Sequence, residues 1–278
     1  MLDLLQYDFM QRALIAGLLV GLICPSIGVF LILRRQSLIG DGLGHIAFAG
    51  VAAGWMMGIY PVLSATVVTV LSALGIEALR ARRPAYADMM LAIFFYSGIA
   101  VAIILSSMTK SNNVNLISYL FGSIVTVSEN DVKTIAGLAA VVLGVLSYIF
   151  KELVFITFDE EAAKVSGLPV KKINIILAVL TALTVSVSMR IVGILLVSAL
   201  MVIPVAASLQ LSRSFRSTLI NAIIISEISV LIGLLVSFAA NLATGGTIVI
   251  TAVTIFIAAF AWKQISALSP GKEIVHKS

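Results

Sequence analysis

The sequence predicts an all-α polytopic membrane protein with about nine transmembrane helices and one short re-entrant or broken helix. Hydrophobic residues make up 60% of the chain and charged residues 11%, whereas soluble domains usually carry about 25% charged residues. Apolar stretches of about 20 residues, the length that a helix needs to cross a bilayer, recur with only short breaks. Residues 1–278 are therefore predicted to form a single transmembrane domain.

The apolar stretches place each spanning helix in order along the chain. The segment ISYLFGSIVTV, residues 117–127, is apolar but too short to cross alone, which is typical of re-entrant or interfacial helices. Asp3 and Asp8 stand where a secretory signal would carry positive charge, so the first span is predicted to be permanent. We predict spans at residues 12–33, 38–59, 61–79, 86–108, 134–150, 173–189, 191–211, 217–239 and 247–262.

The basic residues predict how the bundle is oriented. Under this topology, fourteen of the 18 Lys and Arg residues fall on one side, and the other four are Arg12, Lys110, Lys133 and Arg190. Because short cytoplasmic loops are enriched in Lys and Arg, the N-terminus is predicted to lie outside and the C-terminus in the cytoplasm. The net charge of +5 follows from this topology and requires no nucleic-acid partner.

A cytoplasmic loop at residues 157–172 contains the sequence FDEEAAKVSGLPV. Asp159 can cap a short helix whose first turn carries Glu160 and Glu161, where the helix dipole favours anions, and Gly167 and Pro169 can end it. The loop is thus predicted to form a short polar helix outside the membrane. An ordinary capped loop helix is one interpretation; the other is a docking element for a partner, and the residues that would serve it are Asp159, Glu160, Glu161, Ala162, Ala163 and Gly167.

A second candidate site lies in SLIGDGLGHIAFAG, residues 37–50. Asp41 and His45 are four residues apart, so on a helix their side chains start about 6 Å apart on one face. Carboxylate and imidazole groups suit zinc, manganese or iron. Three roles remain open for Asp41: metal ligation, an interfacial pair with Arg34 or Arg35, or a hydrogen bond in the core. The alternating glycines nearby are expected to let a neighbouring helix approach closely.

Glu227 is the third candidate, because an acid inside a predicted span is costly unless it faces polar groups. It could line a metal pathway, pair with Arg190 or Arg216, or be protonated.

Other chemistry is disfavoured. Cys24 is the only cysteine, and neither a GxxxxGK[ST] phosphate loop nor an HExxH motif occurs, so the chain is predicted neither to hydrolyse ATP by that route nor to be a zinc protease.

Several motifs together resemble the zinc and manganese permease family of bacterial ABC importers. They are SLIGDGLGHIAFAGVAAG, the loop carrying Glu161-Ala162-Ala163 and Gly167, GILLVSALMVIPVAASLQLSRSF at 193–215, and NLATGGTIVI at 241–250. The loop is similar to the EAA loop by which such permeases dock onto their ATPase. Asp41 and His45 match the family's acid and histidine, although many relatives have SHA where this chain has Gly44-His45.

The resemblance implies a bacterial inner or plasma membrane protein that imports Zn²⁺ or Mn²⁺ and has no permanently bound cofactor. Its implied partners are cytoplasmic ABC ATPase subunits, an extracytoplasmic metal-binding protein and a second permease protomer, which predicts a homodimer. Three alternatives remain. A permease for iron chelates or cobalamin would lack the Asp and His pair, a proton-coupled secondary metal transporter would use Asp41 and Glu227 to carry protons, and an intramembrane enzyme would need a nucleophile and base.

Overall fold

The computed structural model describes residues 7–108, 118–123, 125 and 127–268, and within them all regular secondary structure is helical. The predicted all-α class is confirmed. Asp3 and parts of the segment 117–127 lie outside the described residues. The helices are α1 (Asp8–Leu33), α2 (Ile39–Met57), α3 (Pro61–Arg82), a 3-10 turn (Pro84–Tyr86), α4 (Ala87–Met108), α5 (118–121), α6 (Glu129–Tyr148), α7 (Phe150–Phe158), α8 (Glu160–Val165), α9 (Val170–Ser188), α10 (Val197–Leu211), α11 (Phe215–Ala240) and α12 (Thr244–Leu268).

Seven helices in the described part of the chain are long and apolar enough to cross a membrane, namely α1, α3, α4, α6, α9, α11 and α12. The other two predicted spans correspond to α2 and α10. Asp41, His45 and five glycines lower the hydropathy of α2, and α10 has only 15 residues. A polytopic helical bundle is therefore established, whereas the count of nine spans depends on these two helices.

The predicted span at 191–211 is wrong in its first part, because α10 begins only at Val197. Residues 189–196 form turns and bond to the segment that contains α5. The amide of Ile194 donates to the carbonyl of Tyr119 (2.9 Å), and that of Leu195 donates to Leu120 (3.3 Å). Gly193 has φ +88°, and a Cβ there would lie 2.4 Å from the Leu120 carbonyl oxygen. Hydropathy alone does not detect such a break, since both segments are apolar.

The predicted span at 134–150 begins too late, because α6 starts at Glu129. Ser128 and Asp131 form a capping box, in which the Asp131 amide donates to Ser128 Oγ (3.1 Å) and the Ser128 amide donates to Asp131 Oδ2 (2.9 Å). From the sequence alone, these polar residues would be assigned to a loop. In the structure they accept hydrogen bonds from amides that the first turn of the helix leaves unbonded. The helix therefore extends into a region in which most residues are polar.

Asp131 also anchors a polar network at this end of the bundle. Its side chain is 1% exposed and accepts hydrogen bonds from the Tyr60 hydroxyl and the Arg190 guanidinium. The Arg190 guanidinium lies over the Tyr119 ring, 4.9 Å from its centroid. The start of α3, the start of α6, α5 and the turns after α9 are thus held together by one buried ion pair.

At the opposite end of the bundle, the loops that carry most of the Lys and Arg residues lie close together. Arg34, which follows α1, contacts Glu160 of α8 and Asn174 of α9. Lys263 of α12 donates to Gln210 of α10 (3.2 Å). An aromatic cluster with ring centroids 5.4–6.1 Å apart packs beside them; its members are Phe30, Phe150, Phe158 and Phe215. The sequence breaks that carry most basic residues therefore meet at one end of the bundle.

Helix α1 is the most buried of the seven long helices, and it packs against α6, α9, α10 and α11. Close approach depends on glycine. A Cβ on Gly28 would lie 2.0 Å from the carbonyl oxygen of Met201 in α10, and one on Gly233 would lie 2.5 Å from Cα of Ile248 in α12. Small residues at such positions allow helix backbones to touch in a lipid environment, where no hydrophobic effect drives helices together.

Substituting Gly28→Ala should destabilise the bundle, because the added methyl group would force α1 and α10 apart at a backbone contact. Overpacking of this kind costs about 1–3 kcal/mol or more. Gly137→Ala in α6 is the matched control, since nothing lies within 4 Å of a Cβ there. Thermal unfolding of both variants in detergent checks the expectation. Equal transition temperatures for the two variants would show that Gly28 is not a packing constraint.

Candidate metal and coupling site

The first turn of α2 places Asp41 against the start of α10. The Ser198 hydroxyl donates a hydrogen bond to Asp41 Oδ1, and the Asp41 side chain remains partly exposed. A Cβ on Gly40 would lie 3.2 Å from Cβ of Ser198, and one on Gly44 would lie 3.0 Å from the Ile194 carbonyl oxygen. The glycines thus allow close approach, as predicted, and the helix break before Val197 supplies the surface that they contact.

His45 lies one turn further along α2 and is half-buried. Its ring contacts Phe95 of α4 edge to face, with centroids 4.3 Å apart. A Cβ on Gly42 would come within 2.8 Å of Leu91, which also lies in α4. Asp41 and His45 therefore lie on a helix that is clamped between α4 and α10, and both side chains keep some accessible surface in this single chain.

The three roles left open for Asp41 can now be compared with its contacts. The core hydrogen bond is present, through Ser198. Among the described residues, Asp41 forms no ion pair with Arg35, and pairing with Arg34 is wrong, because that guanidinium bonds to Glu160 and Asn174 instead. Metal ligation stays a prediction. Within the described ranges, no cluster of three or more His, Cys, Asp and Glu side chains could hold an ion, so Asp41 and His45 would contribute two ligands from this chain.

Glu227 lies on α11 and faces α1. A Cβ on Gly21 would lie 3.2 Å from its carboxyl carbon, so the absence of a side chain at residue 21 makes room for the carboxyl group. The Glu227 Oε2 atom is buried, and no hydrogen-bond partner for it occurs among the residues described. The predicted alternative of a pair with Arg190 is wrong, since Arg190 pairs with Asp131. Within the described residues, Glu227 forms no ion pair with Arg216 either.

Helix α8 has the short, capped form that the loop sequence predicts. Asp159 Oδ1 accepts a hydrogen bond from the Ala162 amide (2.8 Å) at its start. Gly167, with φ +81°, ends it in a Schellman motif, in which the Leu168 amide donates to Ala163 and the Gly167 amide to Lys164 (both 3.1 Å). Ala163 is fully buried, whereas Val165 is 90% exposed. One side of α8 is therefore seated on the bundle and the other is open.

Glu160 has two cationic partners at the start of α8. Lys164 Nζ lies 2.7 Å from Oε1, and Arg34 lies 3.3 Å from Oε2. The hydrogen bond from Lys164 and the charges of Lys164 and Arg34 lower the pKa of Glu160 despite its partial burial. Glu160 is consequently a carboxylate at neutral pH. Burial lowers the pKa of Arg34, which is offset in part by the neighbouring carboxylate.

Sequence reasoning missed the residues that support these sites. Ser198 and Asn174 were not singled out, and neither was the pairing of Arg34 with Glu160 or of Asp131 with Arg190. Polar residues inside or next to apolar stretches were the available signal, as with Ser198 in VSALMVIP and Asn174 in KKINIIL. Ser198 and Asn174 lie 157 and 140 residues from their partners in the chain, separations that spacing arguments cannot reach.

Comparison with known proteins gives matches over nearly the full chain. A family model described as the ABC 3 transport family matches residues 6–263. A probable metal transport system membrane protein of Treponema pallidum is 36% identical over 94% of this chain and 98% of its own length. The manganese transport system membrane protein MntC of Listeria monocytogenes is 33% identical over 98% of both chains. The zinc uptake membrane protein ZnuB of Haemophilus influenzae is 31% identical, over 90% of this chain and 96% of its own.

A solved structure shares the arrangement of helices. PsaBC from Streptococcus pneumoniae in complex with Fab contains a chain that is 32% identical to this one. It superposes with a TM-score of 0.84 and covers 93% of this chain and 94% of that chain. Sequence and helix packing therefore agree over most of the chain.

Replacing Asp159 by Ala should loosen the start of α8, because the Ala162 amide would lose its cap. Such a loss costs about 1 kcal/mol, which corresponds to about fivefold faster hydrogen exchange at that amide. Asp159→Asn is the control, since an Asn side chain can still accept the hydrogen bond. Hydrogen–deuterium exchange of the peptide containing Ala162 measures the effect. Unchanged exchange in Asp159→Ala would contradict the capping role.

Proposed function

This chain belongs to the ABC 3 transport family, and we propose that it is the membrane permease of a bacterial ABC importer that brings Mn²⁺ or Zn²⁺ into the cytoplasm. The observation that carries the proposal is the Asp41–His45 pair on α2, partly accessible and supported by Ser198. Full-length similarity to a manganese and a zinc permease supports the choice of cargo. The ion is the cargo, and no permanently bound cofactor is assigned.

Asp41 and His45 are proposed to hold the ion briefly during passage. A carboxylate and an imidazole together accept Mn²⁺, Zn²⁺ and Fe²⁺, so the pair defines a class of divalent ions and does not select one of them. Glu227 is proposed to line the same pathway, supported by its buried, unbonded Oε2 atom. Helix α10 packs against both α2 and α11, so it is the element through which these two parts of the pathway would be connected.

Helix α8 is proposed to be the docking element for a separate ATPase subunit. Its exposed side carries Glu161, Lys164 and the apolar Val165, and Phe158 beside it is 67% exposed. A small helix seated through Ala163 and open on its other side can fit into a groove of a partner. We assign Asp159, Glu160, Glu161, Ala162, Ala163 and Gly167 to this docking element.

The proposed topology has nine spans, with α2 and α10 added to the seven long helices, and α5 as a re-entrant segment. The N-terminus would lie outside and the C-terminus in the cytoplasm. Support comes from the basic residues, because those next to α1, α3, α8 and α11 gather at one end of the bundle, as the positive-inside rule expects. A second copy of this chain and an extracytoplasmic metal-binding protein would complete the importer.

Replacing Asp41 and His45 by Ala, singly and together, should lower uptake of manganese or zinc by about 10- to 100-fold, the range for loss of groups that support a metal site. Uptake of the radiolabelled ion by metal-depleted cells measures the change, with membrane abundance determined in parallel. Asp8→Ala, an exposed acid at the start of α1, is the control. Wild-type uptake by the double variant at normal abundance would refute the assigned role.

The orientation can be tested with single cysteines. Ser166→Cys lies next to α8, and Asn130→Cys lies at the opposite end of the bundle; both sites are exposed, while the native Cys24 is buried. A membrane-impermeant thiol reagent should label Asn130→Cys in intact cells and Ser166→Cys only after the cells are opened. Labelling of Ser166→Cys in intact cells would place α8 outside, where no ATPase could reach it.

A further inference from the structure

Arg34 occupies the junction between α1, α8 and α9. It follows the last residue of α1, and its side chain is only 5% exposed. One guanidinium nitrogen donates to Asn174 Oδ1 (2.8 Å) and to Glu160 Oε2 (3.3 Å). A cation at a helix C-terminus is also favoured by the helix dipole. Arg34 thus connects the exposed helix α8 to two helices of the bundle.

The segment between Arg34 and Asp41 is held by backbone hydrogen bonds. After α1, the Arg35 amide donates to Ile32 (2.9 Å) and the Gln36 amide donates to Leu31 (2.7 Å), which together form a Schellman motif. Arg35 has φ +56°, a conformation that usually requires glycine. The Gly42 amide then donates to Leu38 (3.1 Å), which closes the first turn of α2. A movement of Arg34 would therefore be passed to α2, since no flexible loop intervenes to absorb it.

The two cationic partners of Glu160 belong to different parts of the structure. Lys164 belongs to α8 itself, and its side chain is 58% exposed. Arg34 belongs to the bundle and is buried. If α8 shifted away from Arg34, the guanidinium would keep only the neutral oxygen of Asn174 as a hydrogen-bond partner. The charges of Glu77 and Arg80 also act on Arg34, in opposite directions, so loss of Glu160 would leave a buried cation without a directly bonded anion, which is unfavourable. Arg34 is therefore expected to follow Glu160 when α8 moves.

We infer that Arg34 is a positioning residue that transmits movement of α8 to the first turn of α2, and so to Asp41. This inference rests on the proposed function, in which an ATPase moves α8 and Asp41 holds the ion. Arg34 touches neither the ATPase nor the metal in this scheme. Its role is to make the Asp41–Ser198 contact depend on the position of α8. Loss of Arg34 should then separate ATP hydrolysis from ion transport.

The test uses the whole importer in proteoliposomes, assembled from the permease, its ATPase and its metal-binding protein. ATP hydrolysis and uptake of manganese or zinc are measured on the same sample. Arg34→Gln should lower the number of ions imported per ATP by about tenfold, within the usual range for coupling between two sites. Arg34→Lys, which keeps the charge, should recover part of this loss. Lys133→Gln, which breaks an exposed ion pair with Glu129 at the opposite end of the bundle, should leave the ratio unchanged.

The second variant, Glu160→Gln, removes the charge on the partner side and should lower the same ratio; combined with Arg34→Gln, it should add little. If the Arg34→Gln protein does not accumulate in the membrane, Glu160→Gln alone tests the role of the Arg34–Glu160 contact. An unchanged ratio in these variants, with a wild-type importer that transports the ion, overturns the role of Arg34 alone. A parallel fall of assembly, hydrolysis and uptake would make Arg34 merely structural and would also overturn it. A wild-type importer that hydrolyses ATP without importing either ion would instead refute the proposed function.

Discussion

In a hydrocarbon environment, every backbone N–H and C=O group must find a partner within the protein, and this constraint shapes the place where the turns after α9 meet α5. The turns at 189–196 break the helical ladder, and the amides of Ile194 and Leu195 find carbonyls in α5 instead. The break also directs the Ile194 carbonyl towards Gly44 and brings Ser198 to Asp41. The geometry around the candidate metal ligands thus depends on the break before α10 and on the backbone hydrogen bonds that it forms with α5.

The two ends of the bundle differ in how firmly they are held. Asp131 is buried and accepts bonds from the Ser128 backbone amide and hydroxyl, from Tyr60 and from Arg190. Removing one partner from such a buried pair costs about 3–5 kcal/mol. At the other end, Glu160 is 39% exposed and shares its carboxylate between Lys164 and Arg34. The Glu160–Lys164 pair is exposed on both sides and contributes about 0–1 kcal/mol. The end with α8 is therefore the one that a partner can move.

The sequence predicted those features that are set by local patterns. Mean hydropathy located the long spans, and the order Asp159, Gly167, Pro169 predicted a capped α8, because caps are determined by residues a few positions apart. The break before Val197 escaped prediction because Gly193 lies in an apolar stretch that is compatible with a helix. The contacts of Arg34 with Glu160 and Asn174 escaped for another reason. They join residues 126 and 140 positions apart, and one sequence contains no information about which distant polar groups meet.

A permease must bind its ion firmly enough to take it up and weakly enough to release it. Under the proposed function, two ligands from α2, with the Ser198 hydroxyl already bonded to Asp41, would fit this requirement better than a closed site with four protein ligands, which is typical of structural zinc. The hydrogen bond from Ser198 would compete with a bound metal for the Asp41 Oδ1 atom. Under the proposed function, a shift of α2 relative to α10 would change the strength of that competition. Affinity for the ion would then be controlled by the contact between these two helices, and the ligands themselves would not need to change.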